Sequence, residues 1–279
     1  MAQDEARLYG RACEPGLSAL LRDIAPLAGD IIDAYHRGLA DMPRARSLLG
    51  ALSGDELDAL KRWQVANLLG LLAPGLNARS HEAVARMVGR RLALSCVSRE
   101  ELAFAKDLLY TLIIERVGRD KHEQALSILS ARMMRDLAWH LTVYQEIYAQ
   151  RTRLLLSVTR LAWEVGSYID LIAKTAELLA NHPGICACLI ARPGGLESLC
   201  FEAMEGAGLE AYLARVQAIR SSHIAAGKPW TGGAPADKAW RSNRIEHCIN
   251  IATDPDMLLR RDAALDNGFR SVVAVPLAS

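Results

Sequence analysis

The stretch HEQALSILSARMMRDLAWHLTVYQEIYAQRTRLLLSVTRLAWEVGSYIDLI, residues 122–172, decides the architecture of this chain. Mostly apolar residues recur in it every seven positions, in two series offset by four, with no proline and with Gly166 as an interruption. The two series are Leu126, Met133, His140, Ile147, Leu154, Leu161 and Tyr168, and Ser130, Leu137, Tyr144, Arg151, Val158, Val165 and Ile172. Such a sustained repeat is typical of a helix that packs along another helix.

This repeat predicts one continuous helix that pairs with a second copy of the chain as a coiled coil. At ~1.5 Å per residue, about fifty residues make a rod of roughly 75 Å, which is longer than one small domain can cover. The residues expected to form the homodimer contact are Leu126, Met133, Leu137, His140, Tyr144, Ile147 and Leu154. The alternative is two shorter helices, separated at Gly166 or near Arg151, each packed in its own domain. On this stripe His140 and Arg151 either fix the register or lie in solvent where the stripe rotates away.

The composition is that of a globular chain with room for two domains. The chain has 279 residues, of which 51% are hydrophobic and 23% charged, and its formal net charge is +1. This balance argues against a nucleic-acid partner, and no apolar run reaches the ~18 residues that a membrane span needs. The N-terminus has no apolar core and is not a secretory signal. The six cysteines lack metal-ligand spacing, which favours free thiols in a cytoplasmic protein.

An all-α domain is predicted for residues 15–160, after a short tail at residues 1–14. Apolar residues at helical spacing run through most of this range, and no alternating strand pattern interrupts them. Ser53 followed by Glu56, and Ser98 followed by Glu101, have the spacing of capping boxes that begin two of the helices. The first part of the chain is therefore expected to be a helical domain that ends in the long helix.

Three segments of this domain resemble successive landmarks of the globin-coupled sensors. They are DAYHR at residues 33–37, LKRWQ at 60–64 and VGRRLALSCV at 88–97. Each motif alone is loose, whereas the ordered set is fairly specific. The resemblance covers about residues 15–160 and implies a globin-like sensor domain that dimerises through its last two helices.

The resemblance also implies positions for a haem pocket. In the family, the third landmark carries the proximal histidine that binds haem iron, and Leu92 stands at that position here. The first landmark usually carries a tyrosine that hydrogen-bonds bound oxygen, which implies a distal pocket at Tyr35, His36 and Trp63. Haem iron needs an axial donor such as imidazole or thiolate, and leucine offers none. No haem is therefore expected, and the space would be filled by side chains or by another apolar ligand.

Two residues are candidate replacement ligands if haem does bind. Cys96 follows Leu92 by one helical turn, and His36 approaches from the distal side. The alternative for Cys96 is a small buried core residue, and for His36 a partly exposed surface histidine. His81 precedes Leu92 by about three turns, or ~16 Å along a helix, which is too far to substitute for it.

Residues 161–279 predict a smaller α/β domain. Helices are expected at Tyr168–Leu179, Leu209–Ala225 and from Asp254 to Leu265, and strands at Ile185–Ile190, Leu196–Phe201, His247–Ile251 and Phe269–Leu277. Cys186 and Cys188 would share one face of the first strand because strand side chains alternate. Two thiols on such a strand are either buried core residues or a pair that binds a metal or responds to oxidation.

The closing segment of this domain, GFRSVVAVPL at residues 268–277, resembles the GAF domain, over about residues 167–279. The motifs AWRS at 239–242 and TDP at 253–255 resemble a subgroup found in cyclic-di-GMP signalling proteins. This resemblance implies that the domain is C-terminally incomplete at residue 279 and that an output domain follows. It also implies a pocket for an unidentified small molecule, unless the same residues form a packed domain edge. The candidate pocket residues are Cys186, Cys188, Trp230, Trp240, Arg241 and His247.

The sequence contains no glycine-rich phosphate loop, nucleophile elbow or paired carboxylates, so catalysis by this chain is not expected. We expect a dimeric cytoplasmic sensor-transducer with no cofactor. In it, a haem-less globin-like domain acts through the long helix on a GAF domain and controls a cyclic-di-GMP synthase or phosphodiesterase. One alternative is a haem-based gas sensor with a non-standard axial ligand. The other is a dimerisation scaffold that senses nothing.

Overall fold

The computed structural model describes residues 2–194, 198–226 and 233–277. The chain forms two compact units, Met1–Tyr148 and Ala149–Ser279. The division lies inside the long helix, so that this helix contributes residues to both units. Each unit is described by itself below.

The first unit is helical in all of its described secondary structure, as the sequence predicts. Its helices are α1 (Ala2–Tyr9), α2 (Glu14–Ile24), α3 (Ala28–Leu39), α4 (Pro43–Ala51), α5 (Gly54–Leu72), α6 (Ala78–Leu94), α7 (Arg99–Val117) and the first part of α8 (Glu123–Glu164). Both predicted capping boxes are confirmed, because Ser53 caps α5 with Glu56 and Ser98 caps α7 with Glu101. Each box satisfies amide groups that the first helical turn leaves without a partner.

The main core of the first unit lies between the helices α2, α3, α5, α7 and α8. Its fully buried large aliphatic side chains are Leu17, Leu20, Ile24, Ile31, Leu68, Leu72, Ile113, Leu126 and Leu129. A second, smaller cluster joins α6 and α7 to α8 through Ala93, Leu102, Val143, Tyr144 and Ile147. Helix α8 is thus packed on one side against both clusters.

Helix α8 has 42 residues, which corresponds to a length of roughly 63 Å. It runs through Arg151 without a break, which excludes the predicted alternative of a division there. The prediction of one helix up to Ile172 is wrong, since the chain leaves the helical conformation at Val165–Ser167 before α9 (Tyr168–Ala180) begins. Glycine is a poor helix former, and the hydroxyl of Ser167 caps α9 by accepting a hydrogen bond from the amide of Asp170.

In the second unit, α9 covers a two-stranded antiparallel sheet. This sheet consists of β1 (Ala187–Gly194) and β2 (Ser198–Gly206), whose register shifts between Ile190 and Ala191. Ile172 and Ala176 of α9 pack against Ala203, with Cys188 and Ile190 at the edge of the contact. A helix followed by two paired strands agrees with the α/β class that the sequence predicts for this region.

The rest of the second unit surrounds another small core. Its elements are α10 (Leu209–Ala225), α11 (Pro235–Ser242), β3 (Glu246–Cys248), α12 (Arg261–Asp266) and β4 (Val272–Ala274), with a 3-10 turn at Pro255–Met257. The buried core residues are Leu209, Cys248, Ile251, Met257, Ala264 and Phe269. Helix α10 has the predicted bounds, whereas α11 was not predicted.

The strands at the end of the chain are shorter than predicted, and the predicted helix from Asp254 to Leu265 is divided. Strands β3 and β4 pair with each other, so the described residues form two separate two-stranded sheets. Asp254 caps the 3-10 turn through its carboxylate, and the helix resumes only at Arg261. Among the described helices, none has the length and apolar character to cross a membrane.

Candidate functional site

A buried carboxylate on α8 is the centre of the candidate site. Asp136 forms a direct ion pair with the ammonium group of Lys106 on α7. Its other oxygen, Oδ1, lies 3.5 Å from Nε2 of His81 on α6 and 3.7 Å from Nε2 of His140 on α8. We call Lys106, Asp136, His81 and His140 the polar cluster. It ties α6 and α7 to α8 inside the first unit.

The imidazole of His81 is held from two further sides. Its Nδ1 forms a 2.8 Å hydrogen bond with the hydroxyl of Tyr9, the last residue of α1. The ring of Trp139 lies edge-on to it, with the ring centroids 5.0 Å apart. Burial raises the pKa of Tyr9, against the opposing effect of Arg132, so its hydroxyl keeps its proton. The N-terminal helix is therefore attached to the polar cluster.

Arg132, one turn before Asp136, has no exposed surface at all. Its guanidinium donates two hydrogen bonds to the carbonyl of Leu8, at 2.8 and 3.0 Å, and others to the carbonyls of Leu71 and Ala73. These carbonyls lie at the C-terminal ends of α1 and α5, where helices leave acceptors unsatisfied. Arg132 therefore fixes both helix ends to α8 beside the polar cluster.

Close packing covers His140 within the cluster. A β-carbon at Gly89 of α6 would lie only 2.9 Å from Cα of His140, so only glycine fits at this crossing without a shift. Within the described ranges, Nε2 of His81, both ring nitrogens of His140 and the hydroxyl of Tyr144 lack a hydrogen-bond partner. Buried polar atoms without partners are rare and destabilising. The site is thus a place where the fold tolerates an unfavourable arrangement.

Two pKa values in the polar cluster are lowered, those of Asp136 and His140. Burial alone would raise the pKa of Asp136, but His81, Lys106 and His140 outweigh it and hold the pKa well below its ordinary range. Burial, and then the charge of Lys106, lower the pKa of His140 to about 4. At neutral pH, Asp136 is therefore ionised and His140 is uncharged.

The polar cluster does not form a metal site. Among the described residues, no group of three or more His, Cys, Asp or Glu side chains is arranged to hold a metal ion. The ammonium group of Lys106 already neutralises the carboxylate that a cation would need. The cluster is better described as an ion pair flanked by two imidazoles.

The residues that the resemblance implies for haem binding lie in three different places in the first unit. Leu92 packs against the small cluster that contains Tyr144, and it has no donor atom. Cys96 follows the end of α6 in a left-handed conformation (φ 57°) and is exposed, so the prediction of a buried core thiol is wrong. His36 is buried rather than partly exposed, and its Nε2 lies 2.5 Å from Oε1 of Gln64.

Of the predicted distal residues, Trp63 lines a cleft in the first unit, whereas Tyr35 and His36 do not. Tyr35 packs edge-on to His36, and burial raises its pKa to about 12. Trp63 lines an open cleft of about 250 Å³ between α5 and α6, together with Ala66, Asn67, Gly70, Leu71, Leu76, His81 and Val84. This volume is below the roughly 300–1,000 Å³ of ordinary ligand pockets.

The predicted dimer stripe is mostly covered by the first unit itself. Leu126, Met133, His140, Tyr144 and Ile147 are buried there. Leu137 and Leu154 are half-buried. The prediction that His140 either fixes a dimer register or lies in solvent is thus wrong in its second alternative, because α6 covers the ring.

The described residues of the predicted pocket in the second unit lie on or beside β1, on α11 and on β3. Cys186 precedes β1 and is exposed, so the prediction that it shares a strand face with Cys188 is wrong. Cys188 packs near α9. Trp240 and Arg241 lie on α11 and His247 on β3, all at least partly exposed. Trp230 lies outside the described residues.

A cavity of about 330 Å³ in the second unit lies at the turn between β2 and α10. Its lining residues are Met204, Glu205, Gly206, Gly208, Leu209, Glu210 and Ala211. None of the predicted pocket residues is in this set. The turn uses glycine because Gly206 and Gly208 have positive φ angles of 125° and 78°.

No protein-family model, curated protein or solved structure matches this chain.

Proposed function

We propose that the chain is a sensory and signal-transducing region of a signalling protein. A globin-like unit without haem acts through α8 on a GAF-like unit, and two copies of the chain work as a homodimer. The family resemblances of residues 15–160 and 167–279 support this role and connect it with cyclic-di-GMP signalling. The observation that carries the proposal is the course of α8, which holds Asp136 and His140 in the first unit and continues into the second.

The polar cluster supports a switching role for the first unit. A buried ion pair contributes little net stability, because removing two charges from water offsets their mutual attraction. Nε2 of His81 and the two ring nitrogens of His140, which have no hydrogen-bond partner among the described residues, add a further cost. Such an interior reduces the free-energy difference between the described packing of α6 and α7 on α8 and an alternative packing. Switching needs two packings of this kind.

The absence of a donor at Leu92 supports the haem-less part of the proposal, as does the close packing of Gly89 on His140. The test is an absorption spectrum of the purified chain after incubation with excess haemin and desalting. The expected result is a flat spectrum in the Soret region. A sharp Soret band at near-stoichiometric haem would contradict the proposal and would identify Cys96 or His36 as the residue to substitute.

The last part of α8 supports pairing with a second copy. No residue from Ala149 to Glu164 is buried, and Leu155, Leu156 and Trp163 are exposed, the last at 87%. An isolated helix of this length is only marginally stable in water. A parallel second copy would place the same residues opposite each other. On this proposal the dimer contact lies on the tail of α8, and light scattering should give twice the chain mass.

The transducing role is tested by disturbing the first unit and measuring the second. Asp136→Asn removes the charge that pairs with Lys106. We expect it to change amide hydrogen exchange in α9 and in β1–β2. Asp33→Asn is the matched control, because it removes the carboxylate of an ion pair with Lys61 that lies between α3 and α5. The control should leave the second unit unchanged.

A break in α8 then shows whether the helix carries the effect. Arg153→Pro interrupts the hydrogen bonding of α8 beyond the first unit. In combination with Asp136→Asn, it should restore exchange in α9 and in β1–β2 to that of Arg153→Pro alone. If Asp136→Asn alters only the first unit, the proposed transduction is contradicted.

A further inference from the structure

His140 is a buried titratable group beside the ion pair of Lys106 and Asp136, with its Nε2 3.7 Å from Oδ1 of Asp136. Its side chain is 1% exposed, and neither ring nitrogen has a hydrogen-bond partner among the described residues. The backbone of α6 covers it at Gly89. An uncharged imidazole tolerates such a place better than an imidazolium, because a buried charge needs a partner.

Charged and titratable groups face His140 from each helix packed around it. Asp136 lies one turn earlier on α8, Lys106 approaches from α7, and His81 approaches from α6, as does the backbone of Ala85. Lys106 already neutralises Asp136. A proton on His140 would therefore leave two cations beside one carboxylate in a buried site.

We propose that protonation of His140 releases α6 from α8. While Gly89 covers the ring, the ring stays uncharged; when α6 moves away and water reaches the ring, it takes up a proton. Acidification therefore favours the open arrangement. As an input to signalling, this release rests on the transducing function proposed above, whereas the proton-linked opening itself is a property of the first unit.

The sign and size of the effect follow from the two states of the ring. In the covered state, burial and then Lys106 lower the pKa of His140 to about 4, from an ordinary value of 6.5. The covered state is therefore fully favoured above pH 6.5 and loses its advantage as the pH falls toward 4. One proton taken up on opening raises the opening equilibrium by about tenfold per pH unit at most, or about 20-fold between pH 7 and pH 5.

The experiment measures amide hydrogen exchange of α6 in the full chain at pH 7 and pH 5, corrected for the intrinsic pH dependence of exchange. In the wild type, protection of residues 78–94 should fall by about 20-fold. His140→Gln should abolish this fall, whereas His247→Gln, which alters an exposed residue of β3, should retain it. Wild-type protection that is independent of pH, or a fall that persists in His140→Gln, would overturn the proposal.

A second measurement does not depend on the folding of the His140 variant. Side-chain NMR titration of labelled histidine gives the midpoint of His140 in the wild type and in Lys106→Gln. Without the ammonium group, Asp136 needs another counter-ion, so the His140 midpoint should rise. An unchanged or lower midpoint would overturn the proposal. Proton-linked opening of α6 with an unchanged second unit would keep the release and contradict only the transducing function.

Discussion

Gly89→Ala tests the close approach of α6 and α8 on which the site depends. The added β-carbon would lie 2.9 Å from Cα and 3.0 Å from Cδ2 of His140. A contact with a backbone atom cannot be relieved by a change of rotamer, so α6 must move away from α8. Overpacking of this kind costs about 1–3 kcal/mol, against a gain of about 1 kcal/mol for alanine in a helix interior. The expected net loss is about 1 kcal/mol.

Gly70→Ala is the matched control inside α5. A β-carbon there would meet nothing within 4 Å, so the helix propensity of alanine should stabilise the chain by up to about 1 kcal/mol. The two glycine variants should therefore shift the thermal midpoint in opposite directions. At about 2–4 °C per kcal/mol for a chain of this size, circular dichroism should resolve them. If Gly89→Ala stabilises the chain as much as Gly70→Ala does, the described contact with His140 is wrong.

Three other substitutions have defined outcomes. Arg132→Met leaves buried carbonyls, including that of Leu8, without a donor and should cost about 2 kcal/mol or more; a thermal midpoint equal to that of the wild type would refute this. Ser98→Ala removes the acceptor for the amide of Glu101 and should cost about 1 kcal/mol in chemical denaturation, while Ser80→Ala on the exposed first turn of α6 serves as its control. Trp163→Glu should convert the proposed dimer to a monomer in light scattering and leave the melting of the first unit unchanged, whereas a persistent dimer would argue against the tail of α8 as the contact.

Local patterns predict some of the helix boundaries of this chain. The sequence predicts the capping boxes at Ser53 and Ser98 and the bounds of α10, because these features depend on residues a few positions apart. The end of α8 differs from the prediction, because the heptad repeat continues past Gly166 whereas the helix ends at Glu164. The short strands β3 and β4 were overpredicted because an apolar run shows neither how far pairing extends nor where it stops.

Only part of the polar cluster can be predicted from the sequence. Arg132, Asp136 and His140 recur every four residues on α8, a spacing that places them on one face of the helix. This signal indicates a buried polar row when the flanking residues are apolar, and His140 also belongs to the seven-residue repeat. Lys106 and His81 come from other helices, and only the tertiary packing brings them to Asp136.

Hydrogen exchange along α8 in the full chain is the most direct test of the central claim that one helix joins the two units. One continuous helix should give continuous protection of the amides from Glu146 to Ser157, at protein concentrations where light scattering gives the dimer mass. Fast exchange at Gln150–Arg153, with protected segments on both sides, would show two separate helices and would contradict a signal that travels along α8.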